Sequence, residues 1–476
     1  RKICMVENEI KKSEVDILKE RLFLSKKNGI LKLSEDEINR ADEFAQGYKK
    51  FLDTSKTERE AVKNAVSLAK ENGFVEYDCN KKYLPGEKIY YNNRGKALIL
   101  AVMGKQGCKN GVKMTVAHID SPRLDLKPNP VYEAGDIAFF KTHYYGGIKK
   151  YQWTAMPLAL HGVVAKKNGE CIEVRLGEEE HEPCFCVTDL LPHLAKEQMS
   201  KTMLQGISGE NLNVVIGSRS FKSDSGSELV KLNIINILNK KYGIDESDFL
   251  SADLEMVPAF KARDIGFDRS FVGSYGHDDR VCAYPSLRSI LDFKDVPEET
   301  IITILADKEE IGSDGNSGMQ SSFFKFFIAD IAQMDNVNYW HVLSKSKCLS
   351  ADVNAAFDPT YSSVYDKNNS CFVNNGVVVT KYTGSGGKYG TSEASAEFMA
   401  EIRNILDNEN ILWQSGELGK VDAGGGGTIA KFIANLNIDV VDVGVPVLSM
   451  HAPFELISKV DLFMTYRAIG AFFSAK

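Results

Sequence analysis

The spacing of apolar and polar positions changes along the chain, and its first part predicts helices. Residues 35–53 and 57–74 carry apolar side chains three and four positions apart, which is typical of helices that bury one face. Thr57 followed by Glu60 predicts a capping box at the start of the second helix. We therefore expect two amphipathic helices before the first strands.

The pattern then becomes that of short strands. The apolar runs 96–104 and 112–120 predict two strands that are adjacent in one sheet. From about residue 129 to about residue 253 the chain is rich in short β-like segments. Within it, residues 161–178 predict a hairpin with its turn at 167–169. We interpret this region as an inserted second domain.

After residue 253 the chain alternates between strands and helices. The pattern predicts strands at 300–306, 376–382 and 437–448. Between them it predicts helices at 318–334 and 391–407. Such alternation favours an α/β layered fold with a largely parallel sheet. In sheets of this kind, ligands bind beyond the carboxyl ends of the strands.

Composition restricts the classes of partner. The chain has 476 residues, 43% of them hydrophobic, so it can bury more than one core. Its net charge of −7 and the lack of a basic stripe predict neither nucleic acid nor membrane partners. The nine cysteines are scattered and odd in number, which indicates reduced thiols. With no signal-peptide core and no run of about 20 apolar residues, we expect a cytoplasmic protein.

Two adjacent acids follow one of the predicted strands. Glu309 and Glu310 come just after the apolar run 300–306. Neighbouring carboxylates repel each other, and burying them is costly unless they are paired or bind metal. Taken alone, the pair is most simply a solvated turn.

Other metal-competent residues stand at strand ends or in glycine-rich loops. The set comprises His118, Asp120, Asp278, Asp279, Glu309, Glu310, Asp352 and His451. All offer nitrogen or oxygen and none a thiolate, which suits a hydrolytic zinc, cobalt or manganese site better than a structural one. Each residue alone has a plain structural explanation, but together they could hold two metals with one carboxylate bridging them.

These residues lie in motifs that resemble one known family. VAHIDSPRLDLKPNP, GHDDRV, DKEEIGS, SADVNAAFDP and GVPVLSMHAPFELISKVD occur in this order, and YYGGIKKYQW precedes the second. They resemble the ordered motifs of the M18 metallo-aminopeptidases, the aspartyl aminopeptidase family, and its bacterial members in particular. The resemblance implies a phosphorylase/hydrolase-like three-layer catalytic domain with a mixed, mostly parallel sheet at 1–128 and 254–476. A β-rich dimerisation domain at 129–253 would interrupt it.

The resemblance also implies a role for each site residue. Two divalent ions per chain are implied, with zinc expected and cobalt or manganese as alternatives. In this scheme His118 and Asp352 bind one metal, Glu310 and His451 bind the other, and Asp278 bridges the two. Glu309 is the general base, and Asp120 supports His118. Asp279 remains the competing bridge. A cis peptide bond is implied after the bridging aspartate.

The implied activity is removal of the N-terminal residue from peptides. Lys381 would bind an acidic side chain, unless it is a surface lysine at a strand end. His193 would reach the site of a neighbouring subunit, unless it merely begins a helix. Gly425, in the glycine run 424–427, would line the site. The resemblance implies a tetrahedral dodecamer built from dimers. Two alternatives stay open: a metal-dependent deacylase or carboxypeptidase, and a non-catalytic oligomeric scaffold with a relic site.

Overall fold

The computed structural model describes residues 13–24, 28–223 and 225–475. Within these residues the largest sheet has nine strands. With strands and helices numbered in chain order, its pairing order is β1 (Val75–Glu76), β2 (Lys88–Asn93), β3 (Ala97–Val102), β14 (Ile301–Ala306), β4 (Lys113–His118), β15 (Lys347–Ala351), β19 (Asp439–Gly444), β17 (Val377–Thr380) and β18 (Trp413–Ser415).

The centre of this sheet is parallel and its flanks are mixed. β4 pairs in parallel with both β14 and β15, and β15 does so with β19. β3 is antiparallel to both of its neighbours, β2 and β14. The expected α/β fold with a mixed, mostly parallel sheet is confirmed by this topology.

The predicted adjacency of β3 and β4 is wrong, because β14 lies between them. All six residues of β14 are buried, and the strand pairs along both edges. An apolar run of this kind gains most from a central place, where both faces and both edges are covered. The local pattern identifies strands, whereas their order depends on contacts between distant segments.

Helices cover both faces of the nine-stranded sheet. The described residues form α1 (Glu14–Leu22), α2 (Glu35–Thr54), α3 (Glu58–Glu71), α4 (Lys196–Met199), α5 (Met203–Gly206), α6 (Leu229–Tyr242), α7 (His277–Leu291), α8 (Phe323–Met334), α9 (Tyr339–Leu343), α10 (Ala396–Asn408), α11 (Ala430–Ala434) and α12 (Lys459–Ser474). One core joins α2, α3, α7, α10 and α12 to the sheet, and a second joins α8, α9 and α11 to its other face. The result is a three-layer arrangement.

The predicted helices are found with small differences in their bounds. The capping box of Thr57 and Glu60 is present at the start of α3. The helix expected at 318–334 begins only at Phe323, because turns occupy the residues before it, including a bond from the Gly318 amide to the Gly315 carbonyl.

A second sheet of seven described strands packs beside the first. Its pairing order is β8 (Cys171–Leu176), β7 (Leu158–Ala165), β11 (Ala252–Pro258), β5 (Arg123–Ala134), β6 (Ile137–Tyr145), β10 (Val214–Gly217) and β9 (Cys186–Val187). The predicted hairpin is confirmed by the antiparallel pairing of β7 with β8. This sheet has its own hydrophobic core, which includes Trp153 and Phe140.

A third, five-stranded sheet carries two loops that matter for the site. Across the described residues its order is β12 (Arg263–Ile265), β13 (Phe271–Ser274), β21 (Glu455–Ser458), β20 (Pro446–Leu448) and β16 (Asn354–Ala355). The chain leaves β13 towards α7, and the segment between β20 and β21 contains His451. Among the described helices, none has the length and apolar character needed to cross a membrane.

Candidate metal centre

The parallel centre of the nine-stranded sheet places three candidate segments at one edge. His118 is the last residue of β4 and pairs with Ala306, the last residue of β14. A short 3₁₀ turn, Glu309–Ile311, follows β14, and Asp352 follows β15 directly. Because the carboxyl ends of parallel strands meet at the same edge, these side chains converge there.

The other two segments arrive from the five-stranded sheet. Gly276, with a φ of +79°, turns the chain from β13 into the first residues of α7. There, Asp278 and Asp279 depart from helical geometry, and the peptide bond between them is cis. His451 also has a positive φ, of +64°, in the loop after β20.

Asp278 lies between the two histidines. Its Oδ1 is 3.1 Å from His118 Nε2, and its Oδ2 is 3.1 Å from His451 Nε2. On the His118 side, Asp352 Oδ1 is 3.8 Å from the same Nε2, as is Glu309 Oε2. On the other side, Glu310 Oε2 is 3.5 Å from His451 Nε2. Each carboxylate oxygen of Asp278 therefore faces a different histidine.

Asp279 makes a different kind of contact. Its Oδ2 accepts a hydrogen bond from the backbone N–H of His118 at 3.2 Å. An oxygen of Asp279 also lies within 4.8 Å of ligand atoms of His118 and Asp352, just as Asp278 does with His118 and Glu310. Both aspartates are thus near enough to contact a cation at the His118 side.

Asp120 joins the two halves of the site without facing the histidine Nε2 atoms. Its Oδ1 accepts from the Glu309 amide at 3.1 Å, and its Oδ2 accepts from the Glu310 amide at 3.2 Å. Oδ1 also lies 3.3 Å from His118 Nδ1. One buried carboxylate therefore orients the imidazole and the start of the 3₁₀ turn.

Burial makes several acids of this site hard to ionise, whereas the neighbouring histidines lower the pKa of Asp278. Burial, with Asp278 and Asp120 nearby, raises the pKa of Glu309 to about 7. Burial and the charge of Asp278 raise the pKa of Glu310 well above its usual value. Burial and the charge of Asp279 do the same for Asp352. A cation placed among them would reverse this penalty.

The donor set fits such a cation. Glu310 Oε1 and Asp279 Oδ1 are buried and have no hydrogen-bond partner. Among the residues that the structure describes, Asp278, Glu310 and Asp352 have histidines as ion-pair partners and no lysine or arginine within 4 Å. Buried charges without partners are rare in proteins, so the oxygens and imidazole nitrogens here are arranged as ligands for hard or borderline divalent ions.

A cavity of about 500 Å³ opens over this group. Its walls are formed by the candidate ligands on one side and by residues 425–428, Thr380 and Phe432 on another. A space of this size holds a few amino acid residues of a peptide and little more. It provides room for a small substrate directly against the carboxylates.

A comparison with known proteins decides the family. The sequence model of the aminopeptidase I zinc metalloproteases (M18) matches residues 51–473. The chain belongs to the M18 family of metallo-aminopeptidases. It is therefore a hydrolase of the zinc aminopeptidase class, as the resemblance of its motifs predicts.

Bacterial M18 proteins are similar over almost the entire chain. The probable M18 family aminopeptidase 1 of Clostridium acetobutylicum is 48% identical over 465 residues, which is 96% of this chain and 99% of that protein. The crystal structure of the M18 aminopeptidase from Thermotoga maritima superposes with a TM-score of 0.91 at 43% identity, covering 95% of this chain and all of that one. That of aminopeptidase I from C. acetobutylicum gives 0.89 at 45% identity, with the same coverage of both chains.

The three residues predicted to contact substrate lie in different surroundings. Gly425 lines the cavity. Lys381 does not, and its Nζ lies 3.7 Å from Glu393. His193 is exposed on a segment between β9 and α4. A lysine that was not predicted, Lys431, lines the cavity instead.

Sequence reasoning missed three residues that contact the candidate ligands. Glu455 accepts from the His451 amide at 2.9 Å and from the Asp278 amide at 3.2 Å. The Tyr145 hydroxyl donates to Asp120 Oδ2, and the Gly147 carbonyl accepts from His451 Nδ1. All three lie in motifs quoted above, Tyr145 and Gly147 in YYGGIKKYQW and Glu455 in GVPVLSMHAPFELISKVD, but their contacts with the site were not predicted.

Proposed function

We propose that this M18 aminopeptidase removes the N-terminal residue from peptides with two divalent metal ions, zinc foremost, and with Glu309 as the general base. One ion would be held by His118 and Asp352 and the other by Glu310 and His451, with Asp278 bridging them. The observation that carries this assignment is the position of Asp278, whose two oxygens each lie 3.1 Å from a different histidine Nε2. A bridging carboxylate needs that arrangement.

Asp279 is less suited to the bridge. Its Oδ2 is engaged by the backbone N–H of His118, so this side chain helps to hold the end of β4. Asp278 and Glu310, and not Asp279, are the carboxylates found within 4 Å of His451 Nε2 among the described residues, so Asp279 is poorly placed to link the two halves. We therefore propose that Asp279 acts as a support, with an Asp279→Asn variant retaining more metal than Asp278→Asn.

Glu309 suits the proton transfers of peptide hydrolysis. When bound, divalent ions supply a water of lowered pKa and polarise the scissile carbonyl. Glu309 would take the proton of the attacking water and return it to the leaving amine. Glu309 also lines the cavity.

The proposed centre favours a free amino terminus. The free α-amine of a peptide would bind one metal or a carboxylate of the cavity wall, such as Glu309. An N-acylated peptide lacks that amine. We therefore expect exopeptidase action on free peptides, with the run 424–427 lining the substrate side. Lys381 remains a proposed determinant of side-chain preference that would need its ion pair with Glu393 to open.

Assembly belongs to the same proposal. The S. cerevisiae mApe1, 20% identical with a TM-score of 0.75, is described as a dodecamer. We propose a homo-oligomer for this chain too, a tetrahedral dodecamer built from dimers, in which residues 129–253 form the dimer contacts. Leu190, Leu191 and Leu194 are exposed beside His193, which supports a contact that covers this segment and takes His193 to a neighbouring subunit.

Glu309→Gln tests the proposed chemistry. We expect kcat to fall by roughly 10²- to 10⁴-fold, because general acid–base catalysis contributes about that much. Metal content should stay at the wild-type value, since Glu309 is not among the proposed ligands. Wild-type turnover in this variant would show that the base is another residue.

A substrate panel separates the alternatives. Matched peptides with a free or an N-acetylated amino terminus would be compared on the same enzyme. Cleavage of the free peptides is expected. Cleavage of the blocked peptides alone would favour a deacylase, release from the carboxyl end a carboxypeptidase, and inactivity with zinc, cobalt and manganese a scaffold.

A further inference from the structure

The turn 145–147 reaches the metal centre from outside the nine-stranded sheet. It follows β6 of the seven-stranded sheet, and it makes two contacts with the site. The Tyr145 hydroxyl donates to Asp120 Oδ2 at 2.8 Å. The Gly147 carbonyl oxygen is 2.7 Å from His451 Nδ1. The first contact reaches a carboxylate that joins the two halves of the proposed dinuclear site, and the second reaches a proposed ligand on one half.

The first contact acts through Asp120. This carboxylate also accepts the amides of Glu309 and Glu310 and lies against His118 Nδ1. Any rotation of Asp120 would therefore change the orientation of several groups at once. The ring of Tyr145 is 8% exposed, and the guanidinium of Arg123 lies 4.2 Å from its centroid. Packing thus holds the hydroxyl in place to fix Asp120.

The second contact fixes the tautomer of His451. A carbonyl oxygen can only accept, so the hydrogen between these atoms belongs to Nδ1. In the neutral ring Nε2 is then free of hydrogen, and it faces Asp278 Oδ2 and Glu310 Oε2 at 3.1 and 3.5 Å. That is the state in which an imidazole nitrogen can bind a metal.

The two residues after Tyr145, Gly146 and Gly147, are glycines for a steric reason. A Cβ at Gly147 would lie 3.3 Å from His451 Nδ1, which is tighter than most contacts of this kind. At Gly146, with a φ of +75°, a Cβ would lie 3.3 Å from both Cβ and Oε2 of Glu310. The two glycines let the backbone approach the ligands closely enough for the carbonyl to bond.

We propose that Tyr145 and Gly147 are positioning residues through which the seven-stranded sheet orients both halves of the metal centre. The inference rests on the proposed function, since it presumes that the centre binds two divalent ions. Its consequence is that metal affinity depends on a sheet that contributes none of the proposed ligands. Residues that orient metal ligands typically change affinity or activity by about 10- to 100-fold when they are removed.

Tyr145→Phe removes one hydroxyl and leaves the ring. Tyr77→Phe is the matched control, because the Tyr77 hydroxyl donates to the carboxylate of Asp330 at 2.9 Å, between β1 and α8. Zn²⁺ would be titrated into each metal-free protein against a chromophoric chelator. We expect Tyr145→Phe to bind one of its ions about 10- to 100-fold more weakly and Tyr77→Phe to match the wild type.

Gly147→Ala tests the contact with His451 at an exposed residue. It should weaken one ion by a similar factor, and the double variant should weaken both. Excess Zn²⁺ should restore turnover in each, and the circular dichroism spectra of the metal-free variants should match that of the metal-free wild type, which a folding defect would not allow. Wild-type zinc affinities in both single variants would overturn this inference but leave the proposed function intact. A wild-type protein that binds no Zn²⁺ would overturn the proposed function as well.

Discussion

Glu58 and Glu255 are buried as deeply as the acids of the metal centre, yet a cation of the chain accompanies them. They are 1% and 2% exposed, and Arg123 lies between them with nitrogens 2.8 Å from Glu58 and 3.1 Å from Glu255. Burial opposes the charge on Glu58, but Arg123 and Lys96 lower its pKa below the usual value. Burial raises the pKa of Glu255 instead, and Arg123, which also pairs with Asp125 at 2.8 Å, opposes that rise.

The metal centre lacks such a partner within the described chain. Asp278 and Asp352 are 4% and 9% exposed, and their ion-pair partners are histidines. The structural cluster contains a permanent cation, whereas the acids of the metal centre face imidazoles and are left uncompensated once these give up their protons to bind metal. This contrast distinguishes a buried ion pair from a ligand site more clearly than the number of acids does.

The largest expected effect follows from removing the cation of the structural cluster. Arg123→Met would leave Glu58 buried beside a protonatable Glu255 without the guanidinium. We expect a loss of about 3–5 kcal/mol in the free energy of unfolding, measured by urea denaturation of zinc-loaded protein. Added metal should not recover it. A loss below about 1 kcal/mol would mean that Glu58 and Glu255 do not depend on the guanidinium of Arg123, and that this cluster does not differ from the metal centre in the way proposed.

Removing metal from the metal centre should lower the free energy of unfolding. At free zinc 10-fold above Kd, each of the two sites would stabilise the fold by about 1.4 kcal/mol, and a chelator would abolish this. Thermal unfolding with and without chelator measures the effect, and re-addition of zinc should reverse it. Identical melting curves in the two conditions would contradict a ligand site.

The cost of the uncompensated acids should depend on pH. The pKa of Glu309 is about 7 in the folded, metal-free protein against an ordinary 4.5. Below pH 4.5 the group is neutral in both states and costs nothing, and its penalty grows as pH rises towards 7. Metal-free protein should therefore lose stability between these values relative to zinc-loaded protein. A gap in melting temperature that is independent of pH would argue against this.

The smallest effect is expected at a solvent-exposed pair. Lys63 and Glu173 lie 2.6 Å apart, with side chains 65% and 67% exposed. Solvent screens such pairs, so Lys63→Met should change the free energy of unfolding by less than about 1 kcal/mol. Measured beside Arg123→Met in the same urea series, it separates the effect of burial from that of charge.

The parts of the site that the sequence predicted are those at strand ends. His118, Asp352 and the pair Glu309–Glu310 follow apolar runs, so a local pattern and the geometry of parallel sheets suffice to bring them together. The layered α/β fold with a largely parallel sheet was likewise predictable from the alternation of strands and helices, whereas the three layers were implied by the resemblance to the family. Their roles as ligands and base stay proposals.

What the sequence could not supply depends on contacts between distant segments. The place of β14 between β3 and β4 follows from the packing of the entire sheet. Glu455 matters because it lies where the Asp278 and His451 amides meet, which no neighbour in sequence indicates. Tyr145 acts across two sheets, at a point that only the folded chain defines.

Metal content per chain is the most direct test of the claim that the acids are uncompensated because cations complete them. Zinc-reconstituted protein, freed of excess metal by gel filtration, would be measured by inductively coupled plasma mass spectrometry. We predict about two ions per wild-type chain, fewer in Asp278→Asn, and an unchanged content in Lys63→Met. A wild-type content near zero, or an Asp278→Asn content equal to that of the wild type, would contradict the account.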